Sequence, residues 1–155
     1  MKQMSVALVL FFIAGSIAVS AQKIESKPPA TTDNNQSAGD ATAREAAEKL
    51  AAKYTLNADQ SKQVYTIQQR KQRNLSEIEA LKTSDRSRYL AKLESLQKGT
   101  LSSIRRALQS EEQLALFQKT QADIRTKRAE KRKELLLAKA AKDDIQAALL
   151  DIYEE

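Results

Sequence analysis

From Ala30 to its last residue, the chain contains no proline and only two glycines, Gly39 and Gly99. Proline and glycine disfavour helix most strongly, whereas this stretch is rich in alanine, leucine, lysine, glutamine and glutamate, which favour it. The sequence therefore predicts an all-α fold. Beyond residue 21, only one phenylalanine and four tyrosines supply bulky aromatic groups. We therefore expect thin, elongated helix packing, completed by a second subunit or left partly open.

The first 21 residues have the pattern of a secretory signal peptide. Lys2 precedes an apolar run at 6–14, and Val19-Ser20-Ala21 fits the small-residue rule for cleavage after Ala21. The apolar run falls short of the ~20 residues that a membrane-spanning helix needs, so an uncleaved anchor fits less well. We expect an exported, periplasmic protein.

The chain contains neither cysteine nor histidine. Disulfides and the Ser-His and Cys-His nucleophile pairs are therefore excluded, and zinc, copper and haem sites lose their usual ligands. The adjacent carboxylates at 111–112 and 143–144 would point about 100° apart on a helix, unlike the facing pair of a hydrolytic site. We expect a protein that is not an enzyme and has no cofactor and no metal.

Composition divides the rest of the chain into a linker and one domain. Residues 22–40 contain Pro, Ser, Thr, Asn and Gly without an apolar period, which is typical of a disordered linker. Residues 41–155 are predicted to form a single all-helical domain, with a short helix over about 43–54 and then a hairpin of two long helices. A long C-terminal helix is predicted over 110–155, and a break near 125–134 is the alternative.

The predicted hairpin turns at the sequence KTSD, and Ser84 is expected to cap its second helix. Asp85 would then lie in the first turn, where the helix dipole favours a negative charge. In the first helix, Lys71 interrupts an otherwise apolar stripe. Gly99 lies inside the second helix, where it either permits a bend or a close helix contact or is merely tolerated.

Two segments 53 residues apart, LNADQ and QSEEQ, repeat one pattern. In each, an N-capping side chain (Asn57 or Ser110) stands three residues before a glutamine (Gln60 or Gln113). Each segment thus fits a capping box at the start of a helix. Leu56 precedes the first of the two caps.

This pair of segments resembles the LTxxQ motif, present twice in the Spy/CpxP family of periplasmic proteins, and the resemblance covers about residues 43–122. Asn57 and Ser110 stand where the motif has threonine. Gln109 stands where the second copy has leucine, with Leu108 one residue early. The resemblance implies a curved helical hairpin and a cradle-shaped homodimer whose concave face binds flexible or unfolded clients without ATP. Some members bind metals through histidine, which this chain lacks.

Charge is distributed unevenly along the chain. Residues 62–109 carry 11 basic and four acidic side chains, and residues 110–142 carry nine and five. Residues 143–155 carry five acids and no base. Net basicity favours acidic partners, but export and the lack of aromatic-interleaved basic motifs argue against nucleic acid. Acidic unfolded clients, anionic lipid or lipopolysaccharide, and the acidic tail of another copy remain as candidates.

Together with the signal peptide and the basic charge, the resemblance implies a periplasmic ATP-independent chaperone or envelope-stress protein, acting as a homodimer. It would bind unfolded or flexible clients on a basic, partly apolar surface. The candidate client-binding side chains are Arg70, Lys71, Arg73, Arg86, Arg88, Arg105 and Arg106. One alternative is a structural or membrane-associated helical envelope protein, although the acidic end of the 135–155 tail suits a protein partner better than an anionic membrane. Another is a basic chaperone resembling Skp, whose β-rich core has no counterpart in this sequence.

Overall fold

The computed structural model describes residues 33–153 and residue 155, with side chains from Ala38 onward. These residues form six helices and no strand, which confirms the all-α prediction. They belong to the unit Thr31–Glu155. The predicted signal peptide, residues 1–21, and residues 22–32 of the predicted linker lie outside the described residues.

Helix α1, Asp33–Tyr54, begins well before the predicted short helix. The prediction of a disordered linker is wrong for residues 33–40, which are helical. Contacts with the following helix stabilise this part: Tyr65 and Gln69 both donate hydrogen bonds to Asp40 Oδ1, at 2.6 and 2.7 Å. Such long-range contacts outweigh a weak local preference for helix. Further along, side chains spaced three and four residues apart form the buried face of α1: Ala43, Ala47, Leu50 and Tyr54.

Helices α2, Ala58–Ile78, and α4, Arg86–Ala107, form the predicted hairpin, and a one-turn helix, α3, Leu81–Ser84, lies between them. Helix α2 packs against both α1 and α4. Gly99 of α4 has nothing within 4 Å of the position that a Cβ atom would take. This glycine is therefore not required for a close helix contact.

The second helix of the hairpin is capped by Asp85, not by Ser84 as predicted. Asp85 Oδ1 accepts a hydrogen bond from the backbone N–H of Arg88 at 3.0 Å. Ser84 is the last residue of α3, and its hydroxyl donates to the carbonyl oxygen of Ala80 at 2.9 Å. Because an N-cap residue needs a non-helical backbone, Ser84 cannot take that role while α3 is formed.

The predicted C-terminal helix over 110–155 is divided into α5, Glu111–Leu137, and α6, Lys142–Asp151. The suggested break near 125–134 is wrong, because this charged stretch lies inside α5. Its lysines, arginines and glutamates are good helix formers and need no apolar period to stay helical. The break comes instead at Lys139, whose φ of 55° turns the chain out of the helix.

The core lies where α1, α2, α4 and α5 meet. The rings of Tyr54 and Phe117 are 6.3 Å apart between centroids and tilted by 48°. Leu56, which directly precedes the first capping segment, packs against this cluster. The buried members of the cluster are Ala47, Leu50, Tyr54, Val64, Ile104, Ala107, Leu108 and Phe117.

Candidate functional site

Both predicted capping boxes are formed. Asn57 Oδ1 accepts from the backbone N–H of Gln60 at 2.9 Å, and Gln60 Oε1 accepts from the backbone N–H of Asn57 at 3.1 Å. Ser110 and Gln113 exchange the equivalent two bonds, both at 3.2 Å. The N-termini of α2 and α5 are therefore closed in the same way, as the repeated sequence pattern predicts.

The structure brings the two boxes together, which the sequence pattern did not specify. Gln60 Nε2 donates to Gln113 Oε1 at 2.9 Å, and Gln113 Nε2 donates to Gln60 Oε1 at 3.2 Å. Gln60 is only 2% exposed, and its Nε2 also donates to the carbonyl oxygen of Ala107 at 2.9 Å. The paired amides thus join the starts of α2 and α5 to the end of α4. This arrangement holds the fold together and has no reactive group.

The seven candidate cationic side chains do not form one surface. Arg70, Lys71 and Arg106 line a groove of about 530 Å³ between α2 and α4. Arg73 instead lies along the groove between α1 and α2. Arg86 pairs with Asp144 of α6 at 2.8 Å. Arg88 and Arg105 are exposed on α4 and line neither of these grooves.

The α2–α4 groove combines cations with apolar side chains. Lys92 also lines it. It was not among the predicted side chains, because one basic residue among many on α4 carries no distinguishing signal. Ile78 and Leu96 contribute apolar surface to the same groove, and Glu77 contributes one acid. A ligand in this groove would meet positive charge and apolar surface together.

Within the groove, two guanidinium groups converge on one hydroxyl. Arg70 Nη2 and Arg106 Nη2 lie 3.0 and 3.1 Å from Ser103 Oγ, which itself donates to the carbonyl oxygen of Gly99 at 2.9 Å. In the described part of the chain, neither guanidinium has a carboxylate within 4.0 Å. Two like charges held beside a neutral oxygen create a local positive potential that an anionic group would relieve.

Lys71 differs from its neighbours because it is mostly covered. Its ammonium forms an ion pair with the carboxylate of Glu155, and the two side chains are only 17% and 9% exposed. The same ammonium lies 4.8 Å from the centroid of the Tyr153 ring. This explains why a lysine interrupts the apolar stripe of α2: the position faces the protein, and an acidic residue from far along the chain balances its charge.

Residues 152, 153 and 155, which we call the strap, follow α6 and contact several helices. Gln97 of α4 donates to the carbonyl oxygen of Leu150 at 3.0 Å, and Arg128 of α5 donates to that of Ile152 at 2.8 Å. Burial, together with the nearby Glu155 carboxylate, raises the pKa of the Tyr153 phenol far above its usual range. Gln97, Arg128 and the strap were not predicted from the sequence. Two sequence features together could have indicated this contact. Lys71 interrupts the apolar stripe of α2, and residues 143–155 carry only acidic charges.

A second mixed surface lies at the end of α5. Leu136 and Leu137 are 60% and 77% exposed. Arg125, Arg132 and Lys133 line the same depression. Two large exposed leucines beside a row of cations form a small amphipathic patch of the kind that contacts partners or lipid headgroups.

The described residues lack two features that would indicate a function. Among them, no group of three or more His, Cys, Asp or Glu side chains is placed to hold a metal ion. No described helix is long and apolar enough to cross a membrane. In the comparisons with known proteins, no family model, no curated protein and no solved structure matches this chain.

Proposed function

We propose that this protein is an ATP-independent chaperone or envelope-stress protein that holds unfolded or flexible clients on the α2–α4 groove. One observation carries the proposal: Arg70 and Arg106 share Ser103 without an ion-pair partner among the described residues, next to Ile78 and Leu96. Unfolded chains expose acidic and apolar groups together. A groove that offers positive charge and apolar surface is complementary to both.

The proposed mechanism is binding without chemistry. Exposed cations attract an acidic client over distances of about one Debye length, ~8 Å at physiological salt. Apolar contacts with the groove then provide most of the residual affinity, at ~25 cal/mol per Å² buried. The periplasmic location and the homodimer stay predictions. Recovery of the protein from the envelope with Gln22 as its first residue, and light scattering of that mature protein, test them separately.

The proposal is tested by aggregation suppression with a chemically denatured acidic client. The native protein is compared with the variant Arg70→Gln/Arg106→Gln, which removes the paired charges. The control is Arg88→Gln/Arg105→Gln, which removes two exposed charges outside the groove. We expect the native and control proteins to keep the client soluble, and the groove variant to need a higher concentration. Aggregation that proceeds unchanged with the native protein, at any ratio, would overturn the proposal.

The α5 patch favours a second candidate function, association with an anionic membrane surface. Leu136 and Leu137 would enter the headgroup region while Arg132 and Lys133 contact lipid phosphates. Flotation with vesicles containing anionic lipid tests this candidate, and Leu136→Ser/Leu137→Ser is the variant that should abolish it. Vesicles of neutral lipid serve as the control, because they offer the same apolar interior without the charge.

A further inference from the structure

Beneath the strap, side chains of α1 and α2 form a site that holds a carboxylate. Gln68 and Lys71 of α2 both donate to the side-chain carboxylate of Glu155, and Lys53 of α1 donates to its backbone carbonyl oxygen at 2.7 Å. Tyr153 completes the arrangement by donating its hydroxyl to Glu155 Oε1 at 2.7 Å. One carboxylate is therefore surrounded by an ammonium, an amide and a phenol.

The side chains that receive the carboxylate belong mainly to helix α2 and not to the strap. Gln68 is fully buried, and its Nε2 donates to the Glu155 carboxylate. Lys71 occupies an inward-facing position on the same helix. Burying an amide and an ammonium is costly unless hydrogen bonds and an opposite charge compensate them. Helix α2 therefore presents a buried amide N–H and a largely covered ammonium, and a carboxylate compensates the cost of burying both.

The strap is held by contacts that another chain could reproduce. At Glu155 and Tyr153 these are an ion pair, a cation–π contact of 4.8 Å and side-chain hydrogen bonds. The buried apolar anchors, Leu149 and Leu150, lie earlier, at the end of α6. Helix α6 ends at Asp151, so displacement of the strap does not require α6 to unfold.

We propose that this site binds acidic–aromatic peptide segments, in which a carboxylate lies close to a tyrosine-like ring, and that the strap occupies it as an intramolecular competitor. The proposal rests on the proposed function, because it names the kind of client segment that the protein would hold. Lys71 connects the two surfaces: it lines the α2–α4 groove and also pairs with Glu155. A client first attracted to the open groove is thus adjacent to the site that the strap covers.

A tethered competitor acts at an effective concentration in the millimolar range when its linker is short. The apparent affinity of an added segment is lowered by the fraction of molecules whose strap is bound. The native chain is therefore expected to bind such segments weakly. Weakening the strap without altering the side chains that receive it should make an added segment bind more tightly. Loss of a purely structural contact would have the opposite effect on binding of the segment.

The test measures binding of a peptide, Leu-Asp-Ile-Tyr-Glu-Glu, copied from residues 150–155. The opened variant is Tyr153→Ala/Glu155→Gln in the full chain. We expect it to bind the peptide about tenfold more tightly than the native chain, since its own strap competes less. Adding Lys71→Gln to the opened variant should remove the gain. The matched control is the same peptide with glutamine in place of both glutamates, and it should bind neither protein.

Equal affinity for the native chain and the opened variant would overturn the inference, and so would a gain that survives Lys71→Gln. Thermal melting accompanies each measurement. If the opened variant no longer melts cooperatively, Glu155→Gln alone replaces it. If this variant unfolds as well, the strap is a structural brace and the inference is wrong.

Aggregation suppression by the same proteins separates this inference from the proposed function. If the peptide binds as expected but no variant holds a client, the site stands and the chaperone function falls. If the native chain holds clients but opening the strap changes neither peptide nor client binding, the function stands and the inference falls.

Discussion

The side-chain amides of Gln60 and Gln113 face each other and exchange hydrogen bonds of 2.9 and 3.2 Å. Each amide oxygen also closes the capping box of its own helix. One pair of side chains therefore satisfies the free N–H groups at two helix starts and joins those starts to each other. Because these groups are linked, loss of either glutamine is expected to affect both helices.

We expect Gln60→Ala to destabilise the protein by ~2 kcal/mol, because it leaves a buried carbonyl and the Gln113 amide without their partner. Asn57→Ala removes one cap and should cost ~1 kcal/mol. Gln63→Ala, at an exposed position of the same helix, is the control. Urea unfolding measures all three free energies of unfolding. A double-mutant cycle between Gln60 and Gln113 should give a coupling of ~0.5 kcal/mol or more, and zero coupling would contradict the paired arrangement.

The position of the cap at the hairpin turn can be tested with two adjacent residues. Asp85→Ala should lower the free energy of unfolding by ~1 kcal/mol, because Asp85 accepts from the first turn of α4. Ser84→Ala should change it by much less, since Ser84 lies at the end of α3. Ser110→Ala, at the predicted and observed cap of α5, is a positive control at ~1 kcal/mol. If Ser84→Ala lowered the free energy of unfolding more than Asp85→Ala does, α3 would not form in solution.

Features that depend on a few consecutive residues could be predicted from the sequence, whereas contacts between distant segments could not. The caps at Asn57 and Ser110 were predictable because a capping box involves only four consecutive residues. The cap at the hairpin turn was displaced by one residue because Ser84 and Asp85 are both good caps, and only the formation of α3 decides between them. The contact between Gln60 and Gln113 was not predictable, since a repeated motif indicates similar local structure and not proximity.

The acidic end of the chain shows the same limit. The acidic tail of another copy was one candidate for contact with the basic regions, and contact between copies stays a prediction. In the structure, Glu155 pairs with Lys71 of the same chain. Charge complementarity identifies which segments attract each other, but chain connectivity and the turn at Lys139 decide that this contact is intramolecular.

Thr55 offers a stabilising substitution. Its φ is 50°, in the left-handed region that disfavours a β-branched side chain. It ends α1 in a Schellman-type turn, in which the N–H of Leu56 donates to the carbonyl oxygen of Ala51 at 2.9 Å. Thr55→Gly should therefore raise the free energy of unfolding by ~1 kcal/mol. Thr66→Gly, within α2, is the control and should lower it. Destabilisation at both positions would show that Thr55 is not held in this conformation.

Acid should weaken the contact between α1 and α2. Hydrogen bonds from Tyr65 and Gln69 hold the pKa of Asp40 below its ordinary value of 3.8. A depressed folded-state pKa means that the stabilisation is present above the unfolded-state pKa and is lost as pH falls through the folded-state value. Melting of native protein and Asp40→Asn should differ at pH 7, and the difference should shrink as pH falls below 3.8. A difference that stays constant with pH would contradict this assignment.

Client capture should depend on the groove and not only on net charge. Reversal of Arg70, Lys92 and Arg106 to glutamate should slow association with an acidic unfolded client about tenfold at low salt, because steering acts mainly on the association rate. Reversal of Arg73, Arg88 and Arg105 changes the net charge equally but lies outside the groove. This control should slow association much less.

Stopped-flow binding at low and high salt distinguishes the possible outcomes, and circular dichroism confirms that helicity is retained. High salt should reduce the difference between the two triple variants, since it screens exposed charges. The dissociation rate should change little in either variant, because apolar contacts hold the bound client. If both variants slow association equally, overall charge drives capture and the groove has no special role. If neither does, the electrostatic capture step is wrong.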